Sequence, residues 1–398
     1  MTRINNPFIT SGYISADYFC DREAESKQLI REIVNGNNLA IISTRRMGKT
    51  GLIQHCFHSK ELSKEYYTFF VDIYATKSLR DFIFSLSKVI LESLKPFGKK
   101  AVEIFINSVL SLQAGISYDF TGTPSFNIQL GDIQNSMATL EEIFKYLAKA
   151  DKPCIVAVDE FQQITNTKVV LAHLQDIVAV DEFQQITNYS EKNVEALLRT
   201  HIQHCNNAQF IFAGSQRHTM GNMFLSASRP FYQSVSMMHL ESIAIEKYID
   251  FARNHFKKAD RRITPETIRI VYDRFDGVTW YVQKTLNVLF AFTPVGATCD
   301  ESMVEPAIAS VVDSYRFNYQ ETLFRLPERQ KELLVAIAKE GNAKSITSGE
   351  FVKRYSLTSP SSVQAAVKGL LEKDFITLFN GSYSIYDKLF EIWLRESY

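Results

Sequence analysis

Apolar residues follow two alternating rhythms along this chain. Residues 23–35 carry them at helical spacing (Leu29, Ile30, Ile33, Val34), and Gly36 closes the segment. Residues 38–42 are a short apolar run without alternation, the pattern of a strand covered on both faces of a parallel sheet. A helix opens at Gly48 and runs to about residue 59, and YTFFVDIY at 67–74 predicts a second strand. Residues 78–94 predict a helix through Phe82, Ile83, Leu86, Val89 and Ile90. Residues 107–135 are rich in Gly, Ser and Asn and predict a loop or hairpin insertion, and 137–150 an amphipathic helix. A third buried strand at 155–158, a helix at 191–204 and a fourth strand at 209–213 follow. Strands alternating with helices imply crossover connections and a parallel sheet sandwiched by helices, an α/β fold. From about His239 the strand rhythm stops, and 243–292 reads as helical.

The tail changes character again. Residues 328–338, 348–355 and 359–373 predict three helices, the last opened by Ser359 and by Pro360 at its first turn. Residues 375–379 and 382–386 flank Asn380-Gly381, a hairpin with a type I′ turn. Three helices and a hairpin make a winged helix. The expected organisation is therefore an α/β domain over 1–238, a helical lid over 239–322 and a winged-helix domain over 323–398.

Composition narrows the class. A chain of 398 residues with 45% hydrophobic and 22% charged content reads as soluble and globular, with two or three cores. Its 44 basic and 44 acidic residues balance, so no global field draws it to nucleic acid. Five scattered cysteines without a C-x-x-C pair argue against a disulfide framework and a zinc site. Residues 1–19 lack the charged-then-apolar order of a signal peptide, and no apolar run reaches membrane-span length, so a cytoplasmic location without membrane contact is expected.

One segment is doubled. IVAVDEFQQITN occupies 155–166 and again 177–188. Two copies do not make a solenoid; a recent duplication, or an error in the gene, explains them better.

The candidate chemistry lies at two strand tips. Ser43 through Thr50 nearly matches G-x-x-x-x-G-K-[ST], with Ser43 in place of the first glycine, between a buried strand and a helix. Thr44, Arg45, Arg46, Met47 and Gly48, running into the helix at Lys49, Thr50 and Gly51, would cradle phosphates with backbone N–H groups. Lys49 would place a cation on the β- and γ-phosphates of ATP, and Thr50 would offer its hydroxyl to Mg²⁺. Asp159, at the end of a buried run, would hold Mg²⁺ through water, and Glu160 would orient or deprotonate the attacking water. Asp181 and Glu182 stand in the same relation in the second copy; the first is preferred because Pro153 leads into it by a short turn. Ser215, after the fourth strand, could contact the γ-phosphate or the water, or simply end the strand. Arg229 could reach a phosphate in its own or a neighbouring subunit, the second case requiring a homo-oligomer.

These residues resemble the archaeal-type P-loop ATPases of the AAA+/STAND superfamily. Arg45-Arg46-Met47-Gly48-Lys49-Thr50 is similar to the family's R-R-x-G-K-T, and Asp159-Glu160-Phe161-Gln162 to its D-E-x-Q. Phe19 through Glu25 resembles an F-x-x-R-E-x-E segment that in the family lies near the adenine, which assigns Arg22 to the nucleotide. Phe275 through Tyr281 resembles the G-x-P-x-Y turn of the helical lid, with Thr279 where proline is usual. Asp387, Phe390 and Trp393 resemble the close of the family's winged-helix module. The resemblance implies an ATPase that acts as a switch, coupling nucleotide state to movement of lid and winged helix. A signalling or defence switch that hydrolyses slowly or never is one alternative. A DNA-binding regulator is another, though the would-be recognition helix carries only Lys368 and Lys373 as cations, so a protein partner suits it at least as well.

Overall fold

A computed structural model describes residues 6–73, 76–112, 115–118, 124–127, 133–159, 193–215 and 217–398. Glu160, Asp181, Glu182, Phe161 and Gln162 lie outside the described residues, as does everything in the doubled segment beyond Asp159. The chain packs as two compact units: Ser11–Ile243, and the residues up to Thr10 together with Ala244–Tyr398.

The first unit runs α1 (Glu23–Val34), β1 (Leu39–Ile42), α2 (Lys49–Phe57), α3 (Lys60–Ser63), β2 (Tyr67–Asp72), α4 (Leu79–Leu94), α5 (Lys99–Ser108), β3 (Gly115–Tyr118), β4 (Pro124–Asn127), α6 (Ser136–Lys149), β5 (Cys154–Asp159), α7 (Val194–Gln203), β6 (Ala208–Gly214), α8 (Arg217–Leu225) and β7 (Ser236–His239). Among the described residues, five strands form a parallel sheet in the order β2-β5-β6-β1-β7. Parallel neighbours cannot be joined by a tight turn, so helices carry the returns and cover the sheet. β1, β5 and β6 are buried at every position, as runs without alternation require. Phe69, Phe105, Phe212, Phe224 and Phe231 are fully buried in the core between sheet and helices.

Two differences from the sequence reading have physical reasons. That reading stopped at four strands; Ser236–His239 is a fifth, in register with β1 from Leu39↔Ser236 to Ile42↔His239. β7 is an edge strand, mostly half-exposed, so its sequence has no buried run to reveal it. The loop or hairpin expected at 107–135 contains the antiparallel pair β3 and β4, but it is preceded by α5, whose Val102 and Phe105 are buried.

The second unit contains α9 (Ile245–Lys258), β8 (Arg262–Ile263), α10 (Pro265–Arg274), α11 (Thr279–Phe292), β9 (Thr298–Cys299) and α12 (Val304–Phe324). It continues with α13 (Glu328–Glu340), β10 (Ala343–Lys344), α14 (Gly349–Arg354), α15 (Pro360–Glu372), β11 (Ile376–Phe379), β12 (Ser382–Ile385) and α16 (Lys388–Ser397). Residues from α13 onward form a winged helix. Ser359 accepts the Ser362 amide as an N-cap at 3.2 Å. Asn380 and Gly381 take φ of 49° and 75°, the pair of left-handed residues that a type I′ turn needs. The hairpin is widened by β10 into a three-stranded sheet, β10-β12-β11.

The helical region and the winged helix share this unit through specific contacts. The Tyr281 hydroxyl donates to Asp387 Oδ1 at 3.2 Å and accepts the Lys388 amide at 3.1 Å. Asp387 also caps α16, and Tyr319 of α12 lies against the rings of Phe390 and Trp393 at 5.0 and 5.8 Å. Tyr281 is positioned by the turn before α11, where Gly277 has φ +67° and an added β-carbon would fall 2.5 Å from Cζ of Tyr272. Gly277→Ala is therefore expected to destabilise this unit by about 1–3 kcal/mol from backbone strain, with ring displacement besides. A thermal melt unchanged from the parent would contradict that reading of the turn.

Candidate functional site

The site is built where β1, β5 and β6 end. Ser43 follows β1, and its amide donates to the Gly214 carbonyl at the tip of β6 at 3.3 Å. The loop then leaves the sheet: Thr44 is exposed, Arg45 and Arg46 are half-buried, and Met47 is buried. Arg46 has φ 66° and Gly48 φ 93°, so two left-handed residues curl the loop back toward α2. Such residues let successive amides line one concave side of a turn. Arginine bears a strain there that glycine at position 48 does not, of about 1–2 kcal/mol.

Ser43 does not occupy a left-handed position, so its backbone does not require the glycine usual at this place. It is fully buried; its hydroxyl donates to the Thr44 carbonyl at 2.8 Å and accepts from Lys49 Nζ at 3.2 Å. The substitution thus adds a holder for the ammonium of Lys49, a residue only 2% exposed. Thr50, on the first turn of α2, donates its hydroxyl to Asp159 Oδ2 in a short hydrogen bond. Asp159 is buried at the end of β5, in register with Asp72 at the end of β2. A lysine, a hydroxyl and a buried carboxylate therefore converge at the open end of the sheet, where ligands of parallel α/β folds bind. Asp72 was not picked out from sequence; YTFFVD ends on an aspartate as IVAVD does, and that parallel was the available signal.

Ser215 is buried one residue beyond β6, the strand that pairs with β1. Arg22 also contacts the loop. It is left-handed (φ 68°) and buried, and its guanidinium donates to the Met47 carbonyl at 3.3 Å and to Glu25 at 2.7 Å. Gly51 lies under an aromatic group: a β-carbon there would stand 3.3 Å from the Phe19 ring. Phe19 stacks on His55 at 4.4 Å, and the Tyr13 hydroxyl is 3.1 Å from His55 Nδ1. Burial lowers the His55 pKa, with the neighbouring His58 adding to the effect, so the ring is held toward its neutral form. Tyr13 and His55 escaped the sequence reading, although His55 stands four residues after Gly51 and so on the same helix face.

Arg229 forms an ion pair with Glu195 of α7 at 3.3 Å. Burial raises the Glu195 pKa and Arg229 opposes that rise. The structure thus brings together Lys49, Thr50 and Asp159, sets Arg22 and Ser215 against the same loop and strands, and gives Arg229 an acidic partner of its own.

Among the described residues, no helix is long and apolar enough to cross a membrane, and no group of three His, Cys, Asp or Glu side chains could hold a metal by themselves. A family described as "Probable winged helix domain" matches residues 317–396. The sequence matches no curated protein. The fold is similar to that of a Walker-type ATPase of Pyrococcus abyssi, at a TM-score of 0.63 and 16% identity, covering 98% of this chain and 99% of that one. It is also similar to the ORC2 protein of Aeropyrum pernix in its ADPNP-ADP complexes (TM-score 0.57, 14% identity, 98% and 95% covered). The ORC1 protein of the same organism, in complex with DNA, gives 0.50 and 13%, with 95% and 92% covered. These likenesses establish a P-loop ATPase fold with a C-terminal winged helix.

Proposed function

We propose that this chain is a cytoplasmic ATP-binding protein, a Mg²⁺-dependent ATPase that works as a switch. The observation that carries the reading is the convergence of Lys49, Thr50 and Asp159 at the end of the sheet, on a loop whose left-handed turns suit a phosphate. The donor set fits the metal: one hydroxyl and one buried carboxylate already directed at each other are the kind of hard oxygen ligands Mg²⁺ takes, the rest being water and phosphate. Mg²⁺ would supply charge neutralisation between phosphate oxygens. Lys49 would bind the β- and γ-phosphates, leaving Ser43, and Glu160, next in sequence to Asp159, would orient the attacking water. Ser215 is the proposed contact for the reacting phosphate, and Arg22 holds the loop through the Met47 carbonyl. The nucleotides named for the similar Aeropyrum pernix ORC2 structure support ATP as the ligand. Three working parts are proposed, residues 1–238, 239–322 and 323–398. Steady-state phosphate release from ATP with Mg²⁺ tests the reading: turnover that Glu160→Gln abolishes is expected, and turnover untouched by it contradicts the assignment.

The output proposed for the winged helix is protein contact rather than DNA, although a similar structure holds DNA. On α15, Lys368 faces Glu372 at 4.0 Å, and Lys373, just past its end, donates to Gln330 at 3.0 Å. Arg354 is tied to Glu340 and Glu350, and Arg395 to Glu391. Phosphate binding depends on cations able to displace counterions. Titration with duplex DNA at physiological salt is expected to give no binding; a saturable, steeply salt-dependent complex would restore the DNA-regulator reading.

A further inference from the structure

The chain passes between the two units at two places, Thr10–Ser11 and Ile243–Ala244. The first crossing is short and anchored on both sides. On the helical side, Asn6 Nδ2 donates to the Asn287 carbonyl at 2.8 Å, Asn287 Nδ2 to the Phe8 carbonyl at 2.8 Å, and Trp280 Nε1 to the Thr10 carbonyl at 3.1 Å. The Phe8 ring is fully buried, 5.7 Å from Phe256 and 5.8 Å from Phe290, on α9 and α11. On the sheet side, Tyr13 meets His55, Phe19 covers Gly51, and Arg22 binds the Met47 carbonyl of the phosphate loop. Only Ser11 and Gly12 separate the two sets of anchors; both are exposed, and Gly12 has φ +71° with open space around it.

We propose that residues 6–22 are a strap through which the helical unit sets the conformation of the phosphate loop, with Arg22 as the positioning residue at its end. The three residue steps from Thr10 to Tyr13 span at most about 11 Å at full extension, so a movement of Thr10 that would carry it farther than that from Tyr13 must pull Tyr13 and what lies behind it. The strap regulates the nucleotide site proposed above and rests on that reading for its purpose.

The test lengthens the strap without removing a contact. Gly-Ser-Gly-Ser is inserted between Ser11 and Gly12, and a second variant, Phe8→Ala, removes the helical anchor. Amide hydrogen exchange at residues 43–50 is read in the full chain without nucleotide, and affinity for a fluorescent ATP analogue is read in the same proteins. In the lengthened chain, exchange at 43–50 is expected to quicken about tenfold while α9 and α11 keep the parent's rates, and analogue affinity is expected to fall about tenfold. Phe8→Ala is expected to quicken the loop likewise. Loop exchange unchanged in the lengthened chain overturns the strap, and so does a loosened loop with unchanged affinity. A parent chain that binds no analogue overturns the nucleotide reading and with it the strap's regulatory role, while its exchange data still report the mechanical link.

Discussion

Lys49→Ala is expected to weaken ATP binding by about a hundredfold, the equivalent of one or two charge-assisted hydrogen bonds of about 1.5–3 kcal/mol each. The ammonium is buried and reaches Ser43 Oγ, at the end of the strand from which the loop departs. Its cost of burial is met once, on folding, so the cation is preorganised for an anion rather than drawn from water for each encounter. The fold should survive. Alanine is a good helix former at the first position of α2, and Ser43 keeps its bond to the Thr44 carbonyl. Titration of a fluorescent ATP analogue into parent and variant checks this, beside a thermal melt to show that both are folded. Equal affinities in two folded proteins would remove Lys49 from the site.

Asp159→Asn is expected to abolish the advantage that Mg²⁺ gives to ATP binding. The carboxylate is buried and receives the Thr50 hydroxyl. Asparagine keeps the shape and an acceptor for Thr50, so the end of β5 should hold, but the negative charge that favours a divalent cation is gone. Affinities are compared with Mg²⁺ and with a chelator. In the parent the chelator should cost about tenfold or more, the worth of at least one ionic contact, and in the variant nearly nothing. A variant that retains the parent's full Mg²⁺ dependence would mean that other groups hold the metal, Asp72 being the neighbouring carboxylate in register.

How far these sites could be read from sequence follows from what each residue must do locally. β1, β5 and β6 were legible because a strand buried on both faces has no polar positions to disguise it. β7 was not, because an edge strand buries little and SVSMMH looks like any loop. The winged helix was legible through local chemistry: Ser359 caps, Pro360 starts a helix, and Asn380-Gly381 turns a hairpin with positive φ at both residues. The loop from Ser43 to Thr50 was marked in the sequence by its lysine, threonine and second glycine. The meaning of Ser43 was not, because its partner, Lys49, is six residues away across a loop whose path only the fold defines. Tyr13, Phe19 and His55 form one cluster from two distant segments, and no period within either segment announces it.

The central claim is that the loop from Ser43 to Thr50 binds ATP together with Mg²⁺. Isothermal titration of ATP into the intact chain, in Mg²⁺ and again in chelator, tests it most directly. The account predicts one site per chain, occupied in Mg²⁺, weakened about tenfold or more by the chelator and about a hundredfold in Lys49→Ala. No heat of binding in the parent, or the same isotherm from Lys49→Ala, would contradict it.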